Sequence, residues 1–131
     1  MKKIRAFKNS DYDMIYSWWI AHKELGPLPG MMCEDGTFIS EENNIPVMSL
    51  TVLKTQSNVG ILEGYISNPS ADKELKHKHG PELWDFCFDY AKNNNIKYLI
   101  AYAGKLKLVD KYEQFGMTKS MNNLTILYKE L

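Results

Sequence analysis

The chain has 131 residues, a length typical of one domain, so we expect residues 1–131 to form a single domain. Lys and Arg number 16 and Asp and Glu number 16, which gives a formal net charge of zero and disfavours a dedicated nucleic-acid binder. Hydrophobic residues make up 44% of the chain, which excludes intrinsic disorder, yet no apolar run approaches the roughly 20 residues of a membrane helix.

The cysteine content and the first residues favour a cytoplasmic protein. Cys33 and Cys87 are too few for a disulfide framework and form no CxxC motif, which predicts free thiols in a reducing compartment. No apolar stretch follows the N-terminal lysines, so the start of the chain does not resemble a signal peptide. His, Asp and Glu residues show no metal-ligand spacing, and we therefore expect no metal site.

The first elements in chain order are a strand and a helix. Alternating polar and apolar residues predict a strand at Lys3–Phe7. A helix of about 12 residues should follow, because four apolar residues repeat along one stripe. These residues are Met14, Ile15, Trp18 and Trp19. Two prolines within Gly26–Gly30 end this helix and open a loop that continues to Asp35.

Three strands in succession follow that loop. Runs rich in β-branched residues, separated by short polar turns, predict strands at Thr37–Ser40, Ile45–Lys54 and Val59–Ser67. Such tight connections are typical of an antiparallel meander. Asn68, Pro69 and Ser70 then break the last of the three.

The second half of the chain predicts two helices around one strand. Residues 72–79 are charged and show no apolar face, so we interpret them as a loop, with Pro81 at the first position of a helix. A buried strand is predicted at Ile96–Tyr102. The last amphipathic helix ends near Gly116, and Met117–Lys119 should pair with Leu124–Lys129 as a closing hairpin.

The resulting order is β-α-β-β-β-α-β-α-β-β. A strand meander combined with helical crossovers is typical of an α+β fold with a mixed, mostly antiparallel twisted sheet.

Three segments in this order resemble one family. They read IRAFKNSDYDMIYSWW, ILEGYISNPSADKE and LVDKYEQFGM, and the last matches a family signature at Tyr112, Glu113 and Gly116. Together they are similar to the GNAT superfamily of acyl-CoA-dependent N-acetyltransferases, in particular to small members common in phages and bacteria. The resemblance covers nearly the whole chain.

The resemblance implies acetyl-CoA, or another acyl-CoA, as co-substrate. In the family, a strand that separates from its neighbour pairs with the pantetheine amides, and a loop before the next helix binds the pyrophosphate. The strand positions are Gly64, Tyr65, Ile66 and Ser67. The loop positions are His77, Lys78, His79 and Gly80.

The resemblance also implies direct attack of a primary amine on the thioester. Tyr112 matches the family's tyrosine that protonates the leaving thiolate, and Glu63 is the candidate base. A backbone N–H near Ile66 would polarise the carbonyl. The loop from Gly26 to Asp35 would border the acceptor, a small-molecule or protein amine.

A second interpretation comes from departures from the family pattern. Pro81 lacks an N–H donor, and Glu82 places a negative charge where phosphate oxygens would lie. These departures favour a catalytically degenerate GNAT-fold protein that binds a host protein partner. The closing hairpin is also a candidate interface for a homodimer.

Overall fold

The structure is a computed structural model that describes residues 1–103, 106–120 and 127–131. The chain divides into two compact units, Met1–Ala101 and Tyr102–Leu131. The first unit holds a five-stranded sheet and two long helices, and the second holds a third helix. The single-domain organisation of residues 1–131 stays a prediction.

The strands are β1 (Lys2–Ala6), β2 (Thr37–Glu42), β3 (Ile45–Lys54), β4 (Val59–Ser67) and β5 (Tyr98–Ala101). The helices are α1 (Tyr12–Ala21), α2 (Lys73–Asn93) and α3 (Leu106–Gln114), and a short 3-10 helix at Asn9–Asp11 precedes α1. Among the described residues, no helix combines the length and the apolar character that a membrane crossing requires.

The sheet follows the chain order β1-β2-β3-β4-β5. Strands β2, β3 and β4 pair antiparallel, as the short polar turns predict. Strand β1 also pairs antiparallel with β2, and β5 pairs parallel to β4 after the α2 crossover. The predicted α+β fold with a mixed, mostly antiparallel sheet is therefore confirmed.

The two helices of the first unit cover opposite faces of the sheet. On the α1 face, a buried cluster unites the helix with β2 and β4. Its members are Phe7, Ile15, Trp18, Met32, Ile39 and Ile66. On the α2 face, the ring of Phe38 lies 4.8 Å from that of Phe86 and 4.9 Å from that of Tyr90. Successive side chains of a strand alternate between faces, which is why Phe38 and Ile39 meet different helices.

The outer strand β1 carries basic side chains that are held in ion pairs. Arg5 contacts Asp11 at 2.8 Å and Glu41 at 2.9 Å, and Lys3 contacts Glu41 at 3.3 Å. The Arg5 guanidinium holds the pKa of Asp11 below its usual value.

The start of α2 corrects the sequence interpretation. Residues 72–79 are not a loop before a helix at Pro81, because α2 begins at Lys73 and contains Pro81 in its interior. Asp72 caps the helix, since its side chain accepts a hydrogen bond of 2.8 Å from the N–H of Leu75.

The end of the chain differs from prediction in its described part. Residues 117–120 and 127–131 belong to neither helix nor strand, so Met117–Lys119 is not a strand here. Residues 121–126, which include the turn and the start of the predicted partner strand, lie outside the described residues. Strand β5 is also shorter than the predicted Ile96–Tyr102.

Candidate active site

Strand β4 and its parallel neighbour β5, the last strand in the sheet order, separate midway along β4. Parallel pairing between β4 and β5 ends at Leu62 and Ala101. Strand β4 continues to Ser67, and along this stretch it pairs with β3 on its other side. Among the strands of the described residues, none pairs with the other side of Glu63–Ser67, and we call that side the open edge of β4.

A β-bulge lies at the start of the open edge. Ser49 pairs with Ile66, whereas Thr51 pairs with Glu63, so β4 carries one more residue than β3 between these pairs. Gly64 lies within this bulge at a φ of 70°, a left-handed conformation that glycine adopts without strain. The bulge therefore depends on the glycine that the sequence supplies there.

Backbone hydrogen bonds show which groups point outward along this edge. The N–H of Asn68 bonds to the carbonyl of Val47 on β3 at 2.7 Å. Because successive residues of a strand direct their backbone groups to alternate sides, Ser67 faces outward and Ile66 faces β3. This corrects the prediction that the backbone of Ile66 binds the cofactor. The backbone of Ile66 pairs with Ser49 of β3, and its side chain, 8% exposed, is part of the core.

Glu63 lies on the α1 face of the sheet. Its cross-strand partner is Thr51, whose hydroxyl lies 2.8 Å from that of Thr37 on β2. Burial raises the pKa of the Glu63 carboxyl, and a hydrogen bond from the backbone of Gly64 opposes that rise. The predicted base is thus a half-buried carboxylate on a residue whose cross-strand partner is the buried Thr51.

Tyr65 lies on the α2 face. Its ring meets Trp84 edge-on at 5.2 Å between centroids, and burial raises the pKa of its hydroxyl. A Cβ on residue 80 would lie 3.1 Å from the Tyr65 hydroxyl oxygen. Gly80 therefore packs closely against the Tyr65 hydroxyl, a role in packing that differs from the phosphate contact predicted for it.

The predicted pyrophosphate positions lie inside α2. His79 is 0% exposed, and its ring bonds to Ser40 and, at 2.8 Å, to Glu42. Lys78 forms an ion pair of 2.6 Å with Glu42, while His77 is exposed. Because these residues are helical, their backbone N–H groups are not a free cradle. The helix N-terminus lies one to two turns earlier, at Asp72.

Comparison with known proteins identifies the fold. No family model and no curated protein matches the sequence. Solved structures do match over nearly its whole length. The ribosomal-protein-S18-alanine N-acetyltransferase of Escherichia coli has a TM-score of 0.76 at 14% identity, over 92% of this chain and 80% of its own. The chain has the GNAT fold.

Two further GNAT-fold structures align over both full lengths. The glucosamine-6-phosphate N-acetyltransferase of Arabidopsis thaliana has a TM-score of 0.66 at 15% identity, covering 98% of this chain and 99% of its own. An acetyltransferase of Clostridium acetobutylicum, solved with acetyl-CoA, has a TM-score of 0.65 at 16% identity, covering 97% and 96%. At these identities the likeness establishes the fold.

The remaining predicted site residue of the GNAT resemblance lies in the second unit. Tyr112 is part of α3 and is 7% exposed. Its role as an acid stays a prediction. Within residues 1–103, 106–120 and 127–131, no group of three or more His, Cys, Asp and Glu side chains is arranged to hold a metal ion.

Sequence reasoning did not assign His22 to the site. This residue caps the C-terminus of α1, and its Nε2 lies 3.0 Å from the carbonyl oxygen of Ser67 on the open edge. The contact spans 45 residues of sequence, and a lone histidine after a helix gives no signal for it.

Proposed function

We propose that this protein is an acyl-CoA-dependent N-acetyltransferase that transfers an acetyl group to a primary amine by direct attack. The open edge of β4 carries the proposal. It offers outward backbone groups at Ser67, to which an extended ligand with amide groups can add as a strand does. The pantetheine arm of acetyl-CoA is such a ligand, and the GNAT-fold neighbour from Clostridium acetobutylicum was solved with acetyl-CoA.

Glu63 is the proposed base. Acetyl-CoA supplies the thioester that the amine attacks. The amine must first lose a proton, and a carboxylate whose pKa is raised by burial accepts a proton more readily than a solvated one. The outward N–H of Ser67, beside Ile66, would polarise the acetyl carbonyl. On the strength of the sequence resemblance, Tyr112 would return a proton to the leaving thiolate.

The segment from Gly26 to Asp35 is the proposed acceptor border. Leu28 is 40% exposed, and Met31 is partly exposed. These side chains favour an amine attached to an apolar group, whether on a small molecule or on a protein. We place the protein in the cytoplasm, where acetyl-CoA is available and where Cys33 and Cys87 would stay reduced, as both are free thiols here.

Glu63→Gln tests the base. Loss of a general base typically lowers turnover about 10²–10⁴-fold. Asp89→Asn, which neutralises an exposed acid on α2, is the control and should leave turnover unchanged. With the wild-type protein, kcat/KM should rise with pH as Glu63 loses its proton. Equal turnover in Glu63→Gln and the wild type would remove Glu63 from the mechanism.

The placement of residues 77–80 within α2 favours the second candidate function, a GNAT-fold protein that binds a host partner without acyl transfer. A thermal-unfolding series with millimolar acetyl-CoA separates the two. A ligand of the native state raises the unfolding temperature, so an acetyltransferase should show a shift. No shift, together with no transfer to any amine tested, would overturn the enzyme and leave the partner-binding function.

A further inference from the structure

The segment between α1 and β2, residues 23–36, is irregular but anchored. Segments of this length without secondary structure are uncommon in compact domains and are often functional. Four contacts hold its interior and its far end. They are Tyr12 Oη to the Pro27 carbonyl at 2.8 Å, Met32 in the core, Cys33 N–H to Thr37 Oγ1 at 3.0 Å, and Asp35 to Lys54 at 2.6 Å.

The near end of the segment is held by His22. The chain turns sharply at Lys23, whose φ is 60°, directly after the α1 cap. Since the Ser67 carbonyl can only accept, the Nε2 of His22 donates. The ring of His22 is partly buried, which limits competition from water for this bond. His22 therefore joins the start of the segment to the outward face of Ser67.

This contact places the anchored segment and the open edge in a fixed relation. Ser67 is the last residue of β4, and its outward groups belong to the surface on which the acyl donor is proposed to bind. The segment that follows His22 contains Gly26–Asp35, which we propose lines the binding site of the acceptor amine. A displacement of about 1 Å between two reactants can cost about 10²-fold in rate, so such a fixed relation has kinetic value.

We propose that His22 is a positioning residue that fastens residues 23–36 beside the open edge of β4, so that the acceptor amine and the acyl donor meet in register. The anchoring is independent of acyl transfer, whereas its kinetic consequence rests on the proposed function. The carbonyl oxygen has two lone pairs, so His22 need not leave Ser67 when a ligand donates to the same oxygen.

Amide hydrogen exchange tests the anchoring directly in the full chain. In His22→Ala, exchange in residues 23–31 should rise about tenfold, the equivalent of one lost hydrogen bond. His22→Gln keeps a side-chain N–H donor and should restore much of the protection. Ser17→Ala is the matched control, because Ser17 Oγ bonds to the Met14 carbonyl within α1. Unchanged exchange in His22→Ala, or an equal rise in Ser17→Ala, would overturn the proposal.

Steady-state kinetics tests the positioning. In His22→Ala the kcat/KM for the amine should fall at least about tenfold while the Kd for acetyl-CoA stays as in the wild type, and His22→Gln should recover kcat/KM. An unchanged kcat/KM for the amine in His22→Ala would overturn the positioning role. Wild-type protein that transfers no acetyl group would instead overturn the proposed function, and loosened exchange in His22→Ala would still support the anchoring.

Discussion

The Nε2 of His79 lies 2.8 Å from Glu42 Oε2, although 37 residues separate the two in sequence. On its other side the same ring bonds to the hydroxyl of Ser40, which is 1% exposed. One fully buried histidine thus ties α2 to β2 by both ring nitrogens. This contact and the Asp72 cap both stabilise a helix over a charged run that shows no apolar face.

Replacement of His79 should therefore destabilise the fold. His79→Ala leaves a cavity and removes a partner from the buried Ser40 hydroxyl, and we expect a loss of about 2–4 kcal/mol of unfolding free energy. His77→Ala, on the exposed side of the same helix, should change it by less than about 0.5 kcal/mol. Urea denaturation at neutral pH measures both. Equal losses in the two variants would contradict the role assigned to His79.

Glu42 should make stability depend on acid pH. Hydrogen bonds from Lys78 and then His79 lower the pKa of Glu42 from 4.5 to about 2. Because the folded-state pKa is the lower one, the stabilisation is complete above pH 4.5 and is lost as pH falls towards 2. The stability difference between wild type and Glu42→Gln should thus shrink across that window in denaturation series. Glu34→Gln, at an exposed glutamate of residues 23–36, serves as control and should show no such convergence.

Gly64→Ala should strain the bulge. A Cβ there would lie 3.7 Å from Thr51 Oγ1, an ordinary contact, so the cost of about 1–2 kcal/mol comes from the left-handed backbone. Gly30→Ala is a matched control, because Gly30 has a φ of 88° and open space around it. Both variants should lose stability, but only Gly64→Ala should weaken acetyl-CoA binding in calorimetry. Equal weakening in Gly30→Ala would show that the bulge has no special part in binding.

The two thiols should differ in reactivity. Burial raises the pKa of Cys87 to about 12, and its side chain is 0% exposed, so it stays a protected thiol. Cys33 is partly exposed. Ellman's reagent at pH 8 should modify one thiol of the native protein and both after denaturation, and Cys33→Ser should remove the native reaction. Rapid labelling of Cys87 in the native state would contradict its burial.

The strands of the sheet could be predicted because the sequence patterns that define them are local. Alternation and short polar turns define β2, β3 and β4, and the observed strand at Ile45–Lys54 has the predicted bounds. The start of α2 could not be predicted in the same way. Gly80 and Pro81 indicate a helix boundary by local rules, but both lie inside α2, where Gly80 packs closely against the Tyr65 hydroxyl. A tertiary contact thus overrides a local signal.

Only the part of the candidate site that lies on β4 could be predicted from the sequence. Residues 63–67 were identified from the central segment, whereas the direction of the Ile66 backbone depends on register and on the bulge at Gly64. The bond of His22 to Ser67 depends on where α1 ends above the sheet, which no spacing in the sequence encodes.

The ion-paired outer strand bears on how copies of this protein could associate. A strand of another molecule that paired with β1 would lie beside Lys3 and Arg5, which already form ion pairs with Glu41 and Asp11. Desolvating these charged side chains costs free energy, and basic residues on edge strands commonly prevent aggregation by strand pairing. The ion pairs of Lys3 and Arg5 therefore disfavour extension of the sheet at β1.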